Sequence, residues 1–411
     1  MLKKTKTSID YPLFFAVLIL VIFGMVMISS VSIYSSYKLT SHQVYKWIID
    51  HTYNYFYVKR NVIHVFIWFI LLAFVVKIPY KFFEKNAKYF LWFTTILLFY
   101  LLFFAQEVKW AKWWINVPFL PFNIQPTELL KISLILFFAS FFKQNIKYIK
   151  SFKKWFLPFL GILSFFIIIV WLQPDFWTVL VITPISFIIF FLAGANIRYL
   201  AILALVWFVW AYGIYSSWKY DKISGEARPK LAYITERIDY FLQDSKNLFD
   251  PKKVNFDKTY QTRQALITIW SWWANGLWFG NSIQKFWYLP EVQWDFIFSV
   301  IVEELGFVWA FILLNFYIFI AWRGFYIYSK VEDTFAKLTA AWISTWFIVQ
   351  AFINIWVNLN IMPLTWITLP FVSYGGSSLL TLMLALWILL NISRDIHKQP
   401  QFSRLRRKNI F

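Results

Sequence analysis

An all-α integral membrane protein is the fold class this chain predicts, on three observations. Of its 411 residues, 60% are hydrophobic and only 15% are charged, whereas soluble chains carry roughly 25% charged residues. Apolar runs long enough to cross a bilayer, about 20 residues each, recur along the whole length. The runs are continuous rather than alternating, which argues against a β-barrel.

About ten helices follow from these runs. The first spans 12–34; it is long and lacks a small-residue cleavage site, so it reads as a retained anchor rather than a signal peptide. Spans at 61–78, 89–105, 128–146, 155–173, 176–194 and 198–216 come next, then 296–321, 335–358 and 375–392. The loops alternate in character. The first external loop, 35–60, is aromatic, and the third, 106–127, carries WAKWWINVPFLPFNIQPTE. The turn Gln173-Pro174-Asp175 is tight. The largest loop, about 217–295, lies between helices 7 and 8 and has room for interfacial amphipathic helices, with 230–244 as a candidate. The last, 359–374, is uncharged. With no internal repeat, residues 1–394 read as a single polytopic domain, followed by a basic tail at 395–411.

A net charge of +20 raises nucleic acid as a partner, but its placement points to the membrane instead. Lys3, Lys4 and Lys6 precede the first span, and Lys81, Lys85 and Lys88 fill one loop. Lys143, Lys147, Lys150, Lys153 and Lys154 fill another, and Arg394, Lys398, Arg404, Arg406, Arg407 and Lys408 follow the last span. All fall on one side, which the positive-inside rule makes cytoplasmic together with both termini. The tail also suits anionic headgroups of membrane lipid. Zero cysteines exclude disulfides and thiolate metal sites, and four histidines argue against a zinc centre.

The opposite side gathers Lys109, Lys112, Glu128, Lys131, Asp175, Arg263, Lys285, Glu291 and Asp295. Acids and bases converging there suit an anionic headgroup beside a reacting hydroxyl. The competing reading is a set of snorkelling interfacial charges, and for any single lysine it is the stronger one. For Glu128, Asp175 and Asp295 together, at three span boundaries, function is the better reading. Asp295 stands where an aqueous loop meets an apolar run, although an acid at a helix N-terminus is also stabilised by the helix dipole.

Six segments resemble, in order, the SEDS (shape, elongation, division and sporulation) proteins, which are polytopic peptidoglycan glycosyltransferases. They are QPTELLKISL at 125–134, QPDFWTVLVI at 173–182, YQTRQALITI at 260–269, GNSIQKFWYLPEVQWDFIFSVIVEELG at 280–306, NIWVNLNIMPLTWITLPFVSYGGSSLL at 354–380 and ILLNISR at 388–394. GNSIQK, YLPE and ITLP are closer to the division branch, FtsW, than to the elongation branch, RodA. The resemblance implies an inverting polymerisation of lipid II. The nascent glycan on undecaprenyl pyrophosphate is joined to the 4-hydroxyl of an incoming acceptor, and the lipid pyrophosphate leaves. Such chemistry asks for a base on the hydroxyl and cations on the pyrophosphate. Asp295 matches the family's catalytic acid. Lys131, Lys109, Lys112 and Arg263 are candidates for the pyrophosphate, and Glu128 and Asp175 for orienting cations or bracing the cavity. Lys285 and Glu291 belong to the same headgroup region. Ser373, Tyr374, Ser377 and Ser378 are candidate hydroxyl donors, with Gly375 and Gly376 permitting close approach; helix capping by SYGGSS is the favoured alternative. A divalent cation, Mg2+ or Mn2+, suits pyrophosphate chemistry, although no dedicated ligand set is visible. The implied partners are a class B penicillin-binding transpeptidase and other divisome proteins in the bacterial plasma membrane. A lipid II transporter and a catalytically silent scaffold are the rival functions.

Two departures stand out. The chain has 25 Trp but only 11 Gly, where a typical Gly share of about 7% would give roughly 29. Trp177, Trp270, Trp272, Trp273, Trp278, Trp356, Trp366 and Trp387 fall where the family has Gly, and Trp110, Trp294 and Trp309 look similar. An indole cannot replace a glycine that permits positive φ or close helix approach. UGA codons that mean Gly in the organism but were translated here as Trp would account for the pattern; interfacial aromatic belts are the alternative. Separately, Trp113 stands at the family's arginine, leaving Lys109 or Lys112 to compensate.

Overall fold

The computed structural model describes residues 8–396 apart from 76, 105–112, 117–121, 150, 174, 197, 200, 207, 210–211, 214–215, 217–237, 240, 242–255 and 272–274. Twelve labelled helices build the described part: α1 (Tyr11–Val31), α2 (Ile33–Tyr45), α3 (Phe56–Val75), α4 (Tyr80–Phe104), α5 (Pro126–Gln144), α6 (Leu157–Leu172), α7 (Phe176–Leu192), α8 (Phe256–Trp270), α9 (Ile297–Leu305), α10 (Phe307–Lys330), α11 (Thr334–Asn358) and α12 (Gly376–Ser393). Among the described residues, seven helices are long and apolar enough to cross a membrane, and α7 is a shorter apolar one. The expected span at 198–216 is only partly described, and the candidate helix at 230–244 lies almost wholly outside the described residues.

Local chemistry sets the helix starts. Asp10 caps α1, its Oδ1 accepting from the Leu13 N–H at 3.0 Å, and Asp333 caps α11 through the Ala336 N–H. Each such cap is worth about 1 kcal/mol. Asp10 also pairs with Arg323 at 2.6 Å, tying the start of α1 to α10. Pro126 opens α5, where its missing N–H costs nothing.

The core is centred on α11 and α12. Of their apolar windows, 78% and 89% are buried, against 22% for α3. α4 packs on α5, α10 on α11, and α11 also meets α5 and α7. A helix surrounded by other helices can carry polar side chains that would be expensive against lipid. α11 uses that freedom, burying Thr339, Ser344, Thr345, Gln350, Asn354 and Asn358.

Several features differ from the sequence expectation. The first loop, expected only to be aromatic, contains α2. α4 begins at Tyr80 instead of 89, so Lys81, Lys85 and Lys88 extend a helix rather than fill a loop. The run expected as one span at 296–321 is two helices. Gly306, at φ +81, adopts a left-handed conformation that ends α9, and α10 starts afresh at Phe307. Nor does SYGGSS cap α12 through its side chains. Gly375 is the capping residue, and the Ser373 hydroxyl instead accepts from the Leu369 N–H at 2.9 Å.

Candidate active site

A cavity of ≈ 720 Å³ opens at the end of the bundle where α5, α7 and α12 begin. Its walls come from distant parts of the sequence. An isolated antiparallel bridge, with paired bonds between Ile115 and Ile124, brings Trp113, Trp114 and Phe122 to one side. α3 contributes Tyr57, Arg60 and His64; α5 contributes Glu128 and Lys131; the segment before α9 contributes Glu291, Trp294 and Asp295. Gly376 lets the start of α12 approach this wall: a Cβ there would lie 2.6 Å from Phe122 Cβ.

Lys131 carries the best-defined charge. Its Nζ lies 2.7 Å from Glu128 Oε1, one turn back on α5. It also donates to Gln350 Oε1 at 3.2 Å and sits 5.0 Å from the centre of the Trp346 ring. Trp346 Nε1 donates to the same Gln350 oxygen at 2.7 Å, and Thr381 donates to Glu128 Oε2 at 3.3 Å. A buried ammonium with this many partners is fixed in direction and still lines the cavity. Such a preorganised cation suits an oxygen whose negative charge grows during reaction.

Asp175 plays another part. It caps α7 and accepts from the Thr178 N–H, the Thr178 hydroxyl and the Thr127 hydroxyl at 3.2, 2.7 and 3.0 Å. Burial raises its carboxyl above the ordinary range, and these donors only partly oppose that. It lines the cavity, but its hydrogen bonds join α5 to α7. Tyr374 is packed among Tyr57, His64 and Trp294. Burial pushes its phenol up to about 12 against the opposing pull of Arg60, so it stays protonated at neutral pH.

Of the residues expected to form the site, Asp295, Glu128, Lys131, Asp175, Glu291, Tyr374, Ser377, Ser378, Gly375 and Gly376 line one cavity. Lys285 does not. Its ammonium is sealed between Glu304 Oε1, Ser30 Oγ and the Gly280 carbonyl at 2.8, 2.8 and 2.6 Å. That is a correction, because a saturated, fully buried cation has no donor left for a headgroup. Arg263 lies on α8, and Ser373 is occupied by Leu369; neither lines the cavity. Lys109 and Lys112 lie outside the described residues. Among the described residues no three His, Asp or Glu side chains converge as a metal site.

Arg60 and His64 escape a reading of the sequence. A second span drawn from 61 leaves Arg60 in a loop; α3 in fact begins at Phe56 and turns Tyr57, Arg60 and His64 to one face. Asn358 and Gln350 are equally hidden, being polar residues inside apolar helices. The tryptophans at glycine-like positions divide. Trp278 sits at φ +71, the left-handed region that favours glycine. Trp177 and Trp366 line the cavity, Trp366 edge-on to Trp113 at 4.1 Å. Trp387 is buried against Phe83, whereas Trp270, Trp309 and Trp356 are exposed. Trp110, Trp272 and Trp273 lie outside the described residues.

Comparison with known proteins agrees with this architecture. The profile of a cell cycle protein family comprising FtsW, RodA and SpoVE matches residues 11–398. Stage V sporulation protein E of Bacillus subtilis is 31% identical over 396 residues, covering 95% of this chain and 98% of its own. The probable peptidoglycan glycosyltransferase FtsW of Buchnera aphidicola is 31% identical over 347 residues, covering 83% of this chain and 92% of its own. Among solved structures, a chain of a peptidoglycan synthase complex that coordinates polymerization and crosslinking superposes with a TM-score of 0.70 at 22% identity, covering 95% of this chain and 99% of its own. The rod shape determining protein RodA of Thermus thermophilus gives 0.63 at 22%, covering 94% and 97%. These two likenesses establish a shared membrane-embedded helical fold. Taken with the profile match across nearly the whole chain, they place it in the FtsW/RodA/SpoVE family of cell cycle proteins, the SEDS family.

Proposed function

We propose that this protein is a peptidoglycan glycosyltransferase that polymerises lipid II during cell division, releasing undecaprenyl pyrophosphate. One observation carries the reading: a loop carboxylate, Asp295, and a buried, fixed cation, Lys131, line the same cavity. Asp295 takes the proton from the acceptor 4-hydroxyl as that oxygen attacks the anomeric carbon of the donor glycan. The bond from that carbon to the pyrophosphate oxygen breaks, and configuration inverts. Lys131 and Arg60 stabilise the departing pyrophosphate, with Glu128 holding Lys131 in place and Ser377 offering a hydroxyl to the sugar.

The chain crosses the plasma membrane about ten times as one domain over residues 1–394, with both termini cytoplasmic and the cavity outside. The loop at 217–295 delivers Asp295 to it. A class B penicillin-binding transpeptidase is the partner that would crosslink the product. In liposomes supplied with lipid II, wild-type protein is expected to make glycan polymer and Asp295→Ala to lose at least about 100-fold, as loss of a general base does. Undiminished polymerisation by Asp295→Ala overturns the mechanism, and lipid II transport without polymer by the wild type would replace it with a transporter.

A further inference from the structure

We propose that Asn358 is a positioning residue for the reaction: its side-chain amide replaces one backbone turn and so holds the main chain of Asp295 in the cavity wall. The proposal rests on the reading of Asp295 as the base.

The geometry is specific. A helix that included residue 295 would join its carbonyl to the Ser299 N–H, four residues on. The amide of Asn358 stands between those two groups. Its Nδ2 donates to the Asp295 carbonyl at 2.9 Å, and its Oδ1 accepts from the Ser299 N–H at 3.1 Å and the Ser299 hydroxyl at 2.6 Å. Asn354, one turn earlier on α11, donates to the same Asp295 carbonyl at 3.0 Å and to the Ile367 carbonyl at 2.7 Å. Both asparagines are essentially inaccessible. A side-chain amide has one donor face and one acceptor face, as a peptide group does, so it continues the hydrogen-bond pattern while moving it sideways. α9 accordingly begins at Ile297, and Asp295 stays outside the helix, facing the cavity. The far side of the loop is pinned too, since the Tyr374 N–H donates to the Gln293 carbonyl at 2.9 Å. Neither asparagine lines the cavity. Their influence on the reaction therefore passes through Asp295.

The test compares wild type, Asp295→Ala, Asn358→Ala, Asn358→Asp and Asn354→Ala in lipid II polymerisation, each normalised to monodisperse protein and accompanied by its melting temperature. Asn358→Asp keeps the acceptor for Ser299 but loses the donor to Asp295. It is expected to lower kcat about 100-fold with KM within twofold, the cost of moving a reacting group by about 1 Å. Asn358→Ala should fall at least as far, and Asn354→Ala less. A kcat within threefold of wild type in Asn358→Asp overturns the proposal, as does a KM rise matching the kcat loss. Should Asn358→Ala not fold, the near-isosteric Asn358→Asp decides by the same criteria. Failure of all three asparagine variants to fold would assign the pair a purely structural role and also overturn it. Persistent activity in Asp295→Ala would instead sink the reading of Asp295, a separate outcome.

Discussion

Lys131 and Lys285 look alike at first sight: each is a lysine in a family motif, buried, and paired to a glutamate. The nitrogen–oxygen distances are 2.7 Å to Glu128 and 2.8 Å to Glu304. What separates them is the surrounding wall. Lys131 and Glu128 both line the cavity, so a substrate anion can share the cation. Lys285 and Glu304 are shut away with Ser30 of α1, and Glu304 also accepts from the Ser282 N–H at 3.4 Å. Beside it Glu303 accepts from the Ser282 hydroxyl and from the N–H groups of Ile283 and Gln284. Two neighbouring carboxylates of α9 thus hold the segment 282–285 that leads to Asp295. One ion pair lines the cavity and the other fastens the segment that leads to Asp295.

The largest effect should come from opening the fastening pair. Lys285→Met leaves Glu304 charged and without its cation in a sealed site, a loss of about 3–5 kcal/mol. Thermal unfolding in detergent should show it as a steep fall in melting temperature. Adding Glu304→Leu removes the stranded charge, and the double variant should recover most of that stability, because well-packed apolar pairs often replace buried ion pairs at little cost. Equal stability of the single variant and the wild type would break the contrast.

Lys131→Met should do the reverse. Its melting temperature should fall less than that of Lys285→Met, since Glu128 keeps access to the cavity and the hydroxyl of Thr381. Its polymerisation rate should drop about 100- to 1000-fold, the usual cost of losing one preorganised group that meets developing charge. Steady-state rates in liposomes, measured on matched amounts of folded protein, decide between the two patterns.

Nothing in the sequence distinguishes these lysines, because their difference lies in what closes over them. The long apolar helices are legible, since an uninterrupted apolar run of about 20 residues matches the thickness of a bilayer. The break at Gly306 is not, because a lone glycine inside an apolar run reads as helix until its φ is known. Asp295, Glu128 and Lys131 are legible through motifs. Arg60 is lost when the helix start is placed at 61, because α3 opens at Phe56. The two asparagines of α11 carry no pattern that marks an interrupted hydrogen bond on another helix.

A smaller effect is expected in the fastened segment itself. Trp278 stands between Gly276 and Gly280, all three with positive φ, and its indole is 79% exposed. A side chain in that conformation costs about 1–2 kcal/mol that glycine avoids. Trp278→Gly should therefore raise the melting temperature modestly with no change in polymerisation. The same position tests the codon reading: mass spectrometry of the peptide from the native organism should find glycine there, and a UGG codon at Trp278 would rule recoding out at this site.

The smallest effect concerns Asp175, which lines the cavity as Lys131 does yet is bonded like the fastening residues. Burial raises its folded pKa, so the folded state holds the proton more tightly than the unfolded chain. Its contribution to stability is then greatest on the acid side and declines as pH rises from the unfolded carboxylate value towards the raised folded one. Asp175→Asn removes that decline and leaves the joint between α5 and α7 intact. The remaining oxygen still accepts from the Thr178 N–H, and the two threonine hydroxyls can accept from the new amide in place of donating. Melting temperatures across the acid range should consequently flatten in Asp175→Asn, with polymerisation at neutral pH changed by less than about threefold, within the ~0.5 kcal/mol typical of a substitution that disturbs no essential group. A large loss of rate with an unchanged melting curve would move Asp175 from the fastening side of the comparison to the chemical one, alongside Lys131.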